Sequence, residues 1–149
     1  MIIKYSKANV NFATPVRANP SDAGLDIFSA ESKAMLIESN SNKLIRTGLM
    51  FEIPHGYMIQ VCNRSSIACK KQLIVGAHIV DSGYKGELFI DLHNIGTFVQ
   101  SVDPNEKIAQ LVMVPIVPFI PMLVPEAELY SDQVTISDRG RGALGSTGS

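Results

Sequence analysis

The chain has 149 residues, of which 46% are hydrophobic and 18% are charged, and its formal net charge at pH 7 is −1. This composition is that of one globular domain without a general positive field, which argues against nucleic acid or an anionic membrane as a partner. We expect no signal peptide and no membrane span. Two cysteines, Cys62 and Cys69, make neither a disulfide framework nor a zinc site, so we expect a reducing, cytoplasmic setting.

Short apolar runs alternate with turn-forming residues, and long helical periodicity is absent. One short helix is predicted over Ser65–Lys71, with Ser65 or Ser66 as its N-cap. Prolines recur from Pro115 to Pro125, which predicts an extended edge or crossover segment. Many short strands indicate a β-sandwich, jelly roll or barrel. In chain order, the predicted strands are Ile2–Tyr5, Leu44–Ile53, Tyr57–Cys62, Leu73–Val75, Glu87–His93, Val99–Val102 and Lys107–Val117.

The first motif with chemical potential runs from Ser21 to Ala30. Its apolar residues alternate as in a strand, which places Asp26 on the polar face. Two interpretations are open, an exposed strand acid and a functional carboxylate.

The second motif, Asn63 to Ala68, puts Arg64 and two serines at the start of the predicted helix. Backbone N–H groups at such a position are unpaired and attract phosphate. An ordinary helix cap is the alternative.

The third motif, Gly76 to Gly86, carries apolar residues into Asp81, followed by a tight turn and Tyr84. We interpret it as a hairpin with one acid at its mouth. Asp81 either acts as a general base on a water or caps its own turn. For His78, taken alone, we favour a structural role over that of a ligand.

The fourth motif contains Gln110 inside an apolar strand, where a half-buried amide either ties strands together or reaches a ligand. The fifth is the tail Arg139 to Ser149, rich in glycine, arginine and hydroxyl groups. Such a tail is either a disordered terminus or an anion-binding flap. Because no P-loop, nucleophile elbow or zincin motif occurs, the motifs together indicate phosphate chemistry without a P-loop.

These five motifs, in this order, resemble those of the trimeric dUTP pyrophosphatases (dUTPases). The resemblance implies an all-β, distorted jelly-roll β-barrel that forms a homotrimer, with residues 1–138 as the barrel domain. Residues 139–149 would be a C-terminal arm that closes a neighbouring active site. The implied reaction is Mg²⁺-dependent hydrolysis of dUTP to dUMP and pyrophosphate, which limits uracil in DNA and supplies dUMP for thymidylate synthesis.

The resemblance also implies a role for each motif residue. Asp81 would orient and deprotonate the attacking water, and Asp26 would hold Mg²⁺ through water. The other implied substrate-binding residues are Arg64, Ser65, Ser66 and Gln110 for the phosphates, the backbone around His78, Ile79 and Val80 for the pyrimidine, Tyr84 for the deoxyribose, Leu144 over the base, and Arg139, Gly145, Ser146 and Thr147 over the γ-phosphate.

Some positions depart from the dUTPase pattern. Leu144 replaces the aromatic residue that stacks on uracil. Lys107 carries a single point charge where the pattern has a basic residue with a forked group of donors. His78 replaces a glycine, which leaves selectivity between uracil and cytosine open. The region also resembles the sister dCTP deaminases, although Asp91 stands where they have a glutamate and Cys69 where they have an arginine. A dCTP deaminase, alone or bifunctional, is therefore one alternative, and a non-catalytic, nucleotide-switched regulatory binder is another.

Overall fold

The computed structural model describes residues 1–130, and strands make up most of its regular structure. One α-helix, α1 (Ser65–Lys71), lies within this range, and Glu126–Glu128 form a short 3-10 helix. The predicted all-β class with one short helix is confirmed. The strands are β1 (Lys4–Lys7), β2 (Leu25–Phe28), β3 (Met35–Ile37), β4 (Asn42–Arg46), β5 (Leu49–Glu52), β6 (Tyr57–Cys62), β7 (Leu73–Val75), β8 (Ile79–Asp81), β9 (Phe89–Asn94), β10 (Gln100–Val102) and β11 (Lys107–Pro115).

The chain divides into two compact units, and every strand found within residues 1–130 lies in the first, Met1–Pro118. The strands form four antiparallel sheets with the orders β2-β11-β6-β8, β4-β9-β7, β1-β5 and β3-β10. Among residues 1–130 no sheet closes on itself, so the predicted barrel is not one closed hydrogen-bonded ring but a set of separate sheets.

One hydrophobic cluster holds the sheets of the first unit together. Along β9 the side chains alternate, so that Ile90 and Leu92 are fully buried, as the period of two in a strand requires. Asn94 ends this strand as a buried polar residue. Its amide donates to the Ile37 and Phe98 carbonyl oxygens at 2.9 and 2.8 Å, which offsets the cost of burying it.

The structure corrects the single strand predicted over residues 44–53, which is two strands, β4 and β5. The chain breaks at Gly48, which has φ +66°. A Cβ atom there would lie 2.1 Å from the Phe12 ring, so glycine is required. The neighbouring Thr47 is buried, and its hydroxyl donates to the Leu88 carbonyl oxygen at 2.6 Å.

The hairpin predicted around Asp81 is also wrong. Strand β8 pairs with the earlier strand β6, and β9 pairs with β4 and β7. The turn after Asp81 therefore carries the chain from one sheet to another. The structure also adds β3, a three-residue strand that the sequence pattern did not indicate.

The described part of the second unit, residues 119–130, contains the 3-10 helix and no strand. Prolines recur through its start, and they cannot donate to a sheet ladder. Phe119, Ile120, Met122 and Leu123 are almost fully exposed. No helix within residues 1–130 has the length and apolar character needed to cross a membrane.

Truncation of the core side chain at Ile45 tests this packing. Ile45 is fully buried, whereas its neighbour Leu44 is 59% exposed. We expect Ile45→Ala to lower the free energy of unfolding by about 2–5 kcal/mol, because it removes buried methyl groups and leaves a cavity. Leu44→Ala, the matched control, should cost far less. Urea unfolding measures both, and equal losses would contradict the assignment of Ile45 to the core.

Candidate functional site

The four-stranded sheet brings three of the predicted motifs into one row. Asp26 on β2 lies opposite Gln110 on β11, and Gln110 lies opposite Cys62 at the end of β6. Arg64 follows two residues after Cys62. Segments that are far apart in sequence therefore meet because of strand register.

The Asp26 carboxylate is held by two cations. The Arg64 Nε atom lies 2.8 Å from Oδ1, and the Lys107 Nζ atom lies 2.9 Å from Oδ2. The Asp26 side chain is 14% exposed, so these pairs are shielded from water more than ordinary surface pairs. Arg64 also donates to the Lys107 carbonyl oxygen at 3.3 Å. These contacts fix the orientation of the Arg64 guanidinium group. We call the three residues Asp26, Arg64 and Lys107 the basic cluster.

The metal-binding capacity of this region is limited to one carboxylate. Among residues 1–130 no group of three or more His, Cys, Asp or Glu side chains is placed to hold a metal ion. Both oxygens of Asp26 are engaged by cations. Mg²⁺ commonly keeps several waters and is held by one or two carboxylates together with substrate phosphates. The residues therefore fit Mg²⁺ that arrives on a phosphate ligand and reaches Asp26 through water.

Gln110 and Asn63 connect the basic cluster to the rest of the site. The Gln110 amide donates to the Asn63 carbonyl oxygen at 2.8 Å. The Asn63 side-chain oxygen in turn accepts from the Val75 N–H at 2.7 Å. The Gln110 amide thus joins β11 to the segment after β6, and Asn63 joins that segment to β7.

The helix begins differently from the prediction. Its N-cap is Arg64, which has extended backbone angles, and no side chain from the described residues 1–130 caps the helix. The predicted capping by Ser65 or Ser66 is wrong, because both are already helical. The Ser66 hydroxyl accepts from Arg64 at 3.5 Å.

A cavity of about 220 Å³ lies beside β8. It contains four residues of the third motif predicted to bind substrate or act in catalysis, and Asp81 is the one carboxylate in its lining. The rest of the lining is apolar apart from Tyr84. The lining residues are Val61, Ala77, Ile79, Val80, Asp81, Tyr84, Leu88 and Phe89.

Asp81 is exposed, and its carboxylate has no hydrogen bond or ion pair among residues 1–130. The turn that follows is closed by its backbone carbonyl, which accepts from the Tyr84 N–H at 3.1 Å. The alternative in which the Asp81 side chain caps this turn is therefore wrong. The Tyr84 hydroxyl donates to the Glu87 carbonyl oxygen at 2.7 Å, which fixes the ring at the cavity.

Strand β8 is an edge strand within the described part of the chain. The His78 carbonyl oxygen accepts from the Val61 N–H at 2.8 Å, and Ile79 lies opposite Gln60. Because backbone groups alternate in direction along an antiparallel strand, those of Ile79 face the open edge. An N–H and a carbonyl group at an open edge can pair with a planar heterocycle, as they pair with another strand.

Sequence reasoning missed Asp91 as a member of a polar network next to this site. Its Oδ1 accepts from the Asn42 amide at 2.7 Å, and its Oδ2 lies 2.9 Å from His93 Nε2. Oδ2 also accepts from the Ala77 N–H at 3.4 Å. Burial by itself raises the pKa of Asp91, but the hydrogen bonds from Asn42 and His93, the charge of His93 and the Ala77 N–H together lower it below 3.8. No local sequence signal marks this network, because it depends on the pairing of β4 with β9.

The predicted residues of the fifth motif lie outside the described residues, so the structure places none of them. They are Arg139, Leu144, Gly145, Ser146 and Thr147.

A family model described as dUTPase matches residues 10–148. The chain belongs to the dUTPase family. It is 36% identical over 148 residues to the deoxyuridine 5'-triphosphate nucleotidohydrolase of Clostridium acetobutylicum, across 98% of this chain and 96% of that protein. The protein of the same name from Yarrowia lipolytica is 32% identical, across 99% of this chain and 90% of that protein.

Solved structures of two phage proteins resemble the fold. The dUTPase of Staphylococcus bacteriophage 80alpha superposes with a TM-score of 0.77 at 27% identity, covering 84% of this chain and 97% of that chain. A mutant dUTPase from phage phi11 of S. aureus, described with a structural Mg(II) ion, superposes with a TM-score of 0.76 at 25% identity. This match covers 85% of our chain and 98% of the phage chain. Together with the family assignment, these neighbours confirm the predicted jelly-roll class.

The lowered pKa of Asp91 predicts a contribution to acid stability. Because its folded-state pKa lies below the ordinary value, the stabilisation is present above about pH 4 and is lost as the pH falls through the folded-state pKa. Asp91→Asn should therefore reduce the steepness with which the free energy of unfolding falls between about pH 4 and pH 2. Urea unfolding across this range measures it, and identical pH profiles for both proteins would contradict the network.

Proposed function

We propose that this chain is a dUTP diphosphatase that hydrolyses dUTP to dUMP and pyrophosphate with Mg²⁺. The observation that carries the proposal is the Asp81 carboxylate, which has no partner among residues 1–130 and is the one charged group that this part of the chain contributes to the cavity, on the same sheet as the basic cluster. Membership of the dUTPase family and the names of its relatives support the reaction. The activity would limit uracil in DNA and supply dUMP for thymidylate synthesis, and we place it in the cytoplasm.

In this proposal the cavity receives the nucleoside. The outward backbone groups of Ile79 read the pyrimidine edge, and His78 and Val80 flank them. Tyr84 packs against the deoxyribose, where its fixed ring leaves no room for a 2′-hydroxyl. Phe89 adds apolar surface to the same cavity.

The phosphates would bind at the basic cluster. Arg64 supplies a planar donor fork, Ser65 and Ser66 supply hydroxyl and backbone donors, and Gln110 assists. Mg²⁺, carried by the phosphates and held through water by Asp26, would neutralise charge on the leaving group when bound. Lys107 keeps the Asp26 carboxylate oriented from its second oxygen.

The chemical step is an in-line displacement at the α-phosphorus. Asp81 accepts a proton from a water, the water oxygen bonds to the α-phosphorus, and the bond to the oxygen that bridges the α- and β-phosphates breaks. That oxygen leaves with pyrophosphate. A carboxylate without a competing cation is suited to the role of base, whereas the doubly paired Asp26 is not.

We further propose a homotrimer in which residues 1–138 form the jelly-roll domain and residues 139–149 form an arm that closes a neighbouring site. Arg139, Gly145, Ser146 and Thr147 would cover the γ-phosphate, and Leu144 would cover the base. The exposed apolar side chains of Phe119, Ile120, Met122 and Leu123 support association with other chains, since such surface is seldom left in water.

A dCTP deaminase, alone or combined with pyrophosphatase activity, is the first alternative. It would need a carboxylate free to activate water near the pyrimidine. Asp91, at the relevant position, is engaged by Asn42, His93 and the Ala77 N–H, which favours the diphosphatase. Release of ammonia from dCTP would support the deaminase.

A nucleotide-switched regulatory binder is the second alternative. The phage 80alpha relative is described as controlling transfer of virulence genes by a G protein-like mechanism. A purely regulatory protein has no need of a reactive site, whereas both Asp26 and Asp81 are present here. Nucleotide binding without release of pyrophosphate or ammonia would favour this alternative.

Replacement of Asp81 by alanine tests the proposal directly. The wild-type chain with Mg²⁺ should release pyrophosphate from dUTP and no ammonia from dCTP. Asp81→Ala should lower kcat by about 10²–10⁴-fold, the usual contribution of a general base, and should retain dUTP binding. Asp103→Ala is the matched control, because Asp103 is an exposed aspartate in a turn outside the cavity. An Asp81→Ala enzyme with near wild-type kcat would refute the assigned role.

Removal of the arm provides a separate test. A chain that ends at Asp138 should lose most of its turnover, because the flap that excludes bulk water from the triphosphate is missing. Its melting temperature and its trimeric mass should stay close to those of the full chain. Full activity of the shortened chain, or a monomeric full-length chain, would argue against the proposed arm.

A further inference from the structure

Residues 76–78 carry the chain from one sheet to another, and Ala77, the middle residue, lines the cavity. Strand β7 pairs with β9, and β8 pairs with β6, so this three-residue crossover leaves β9 at Gly76 and joins β6 at His78, whose carbonyl oxygen accepts from the Val61 N–H at 2.8 Å. Its first two N–H groups both go to Asp91. The Gly76 N–H donates to the Asp91 backbone carbonyl at 2.9 Å, and the Ala77 N–H donates to Oδ2 at 3.4 Å.

The Asp91 carboxylate is itself held in place from two strands. Asn42 on β4 donates to Oδ1, and His93 on β9 lies within hydrogen-bond distance of Oδ2. The Asp91 side chain is 15% exposed, and the His93 side chain 43%. A largely buried carboxylate with partners on both oxygens has little freedom to rotate, so it presents a fixed acceptor to the crossover.

The crossover also packs tightly against this network. A Cβ atom at position 76 would lie 2.4 Å from His93 Nε2 and 2.5 Å from Asp91 Oδ2. Glycine is therefore required for the close approach, and any outward movement of the crossover would break the contact between Ala77 and Asp91.

We propose that Asp91 is a positioning residue that sets the selectivity of the cavity for the pyrimidine base. The inference rests on the proposed function, in which the backbone edge at Ile79 reads the base. Ala77 and Ile79 both line the cavity. The Asp91 side chain, on β9, holds the crossover in place through the Ala77 N–H. The position of the Ile79 backbone relative to the base then depends on the Asp91 side chain, which does not contact the substrate.

The expected result is a loss of discrimination between uracil and cytosine, because a more mobile Ile79 backbone can pair with the hydrogen-bonding groups of either base. Asp91→Leu keeps the approximate size of the side chain and removes both side-chain acceptors, while the backbone carbonyl that accepts from Gly76 stays. We expect KM for dUTP to rise about tenfold and the preference for dUTP over dCTP in kcat/KM to fall about tenfold, the scale of one lost positioning hydrogen bond. The kcat for dUTP should change by less than about threefold, because Asp81 is untouched.

Conservative replacement separates positioning from general destabilisation. Asp91→Asn keeps an acceptor toward Ala77, while the Asn42 amide can rotate to accept from the new amide group. It should restore most of the selectivity. Lys71→Met is the matched control, because it removes two other polar long-range contacts, from Lys71 to the Ser101 carbonyl oxygen at 2.6 Å and to Glu106 Oε1 at 2.5 Å, in which no cavity residue takes part. It should lower the melting temperature and leave selectivity unchanged.

The measurements are kcat and KM for dUTP and dCTP with each protein, at a temperature well below every melting point. Should Asp91→Leu not fold, Gly76→Ala gives the same readout, since the added methyl group displaces the crossover. Wild-type selectivity in the folded variant would overturn the inference while leaving the proposed function intact. A wild-type chain that fails to hydrolyse dUTP would overturn both. Binding of dUMP provides a readout apart from turnover, and it should weaken about tenfold in Asp91→Leu.

Discussion

The candidate site depends on the pairing of β6 with two different strands at once. On one side β6 pairs with β11, so that Cys62 lies opposite Gln110 and, one strand further, Asp26. On the other side it pairs with β8, so that Met58 lies opposite Asp81. Four residues along a strand span about 13 Å, and this length sets how far the unpaired carboxylate lies from the basic cluster along the sheet. A shift of one residue in either register would turn the side chains to the opposite face.

The two carboxylates of the site differ in their surroundings, and this difference separates their proposed roles. Asp26 is largely buried and pairs with Arg64 and Lys107, so its charge is already compensated. Asp81 faces an open cavity to which residues 1–130 contribute no cation. Environments that distinguish two acids in this way commonly mark one as a structural or metal-orienting group and the other as the reactive one. The fold thus supplies the distinction before any substrate binds.

Local sequence pattern predicted those elements whose signals are themselves local. Strands β6 and β7 and helix α1 have the predicted bounds, because apolar alternation and the change to a polar, helix-forming stretch are visible within a few residues. The break at Gly48 depends on the distant Phe12 ring, and the pairing of β8 depends on β6, so neither was predicted. The motif residues Asp26, Arg64 and Gln110 were identified from the sequence, but their contacts follow from register. The Asp91 network has no local signal at all, because Asn42 and Asp91 are 49 residues apart.

The central claim is that Asp81 directs a water to the α-phosphorus of dUTP, and the fate of the oxygen atom of that water tests it most directly. Hydrolysis of dUTP in ¹⁸O-labelled water, followed by mass analysis of both products, reports which phosphorus was attacked. Our account predicts one labelled oxygen in dUMP and none in pyrophosphate. Label in pyrophosphate would place the attack on the β-phosphorus and would contradict the account.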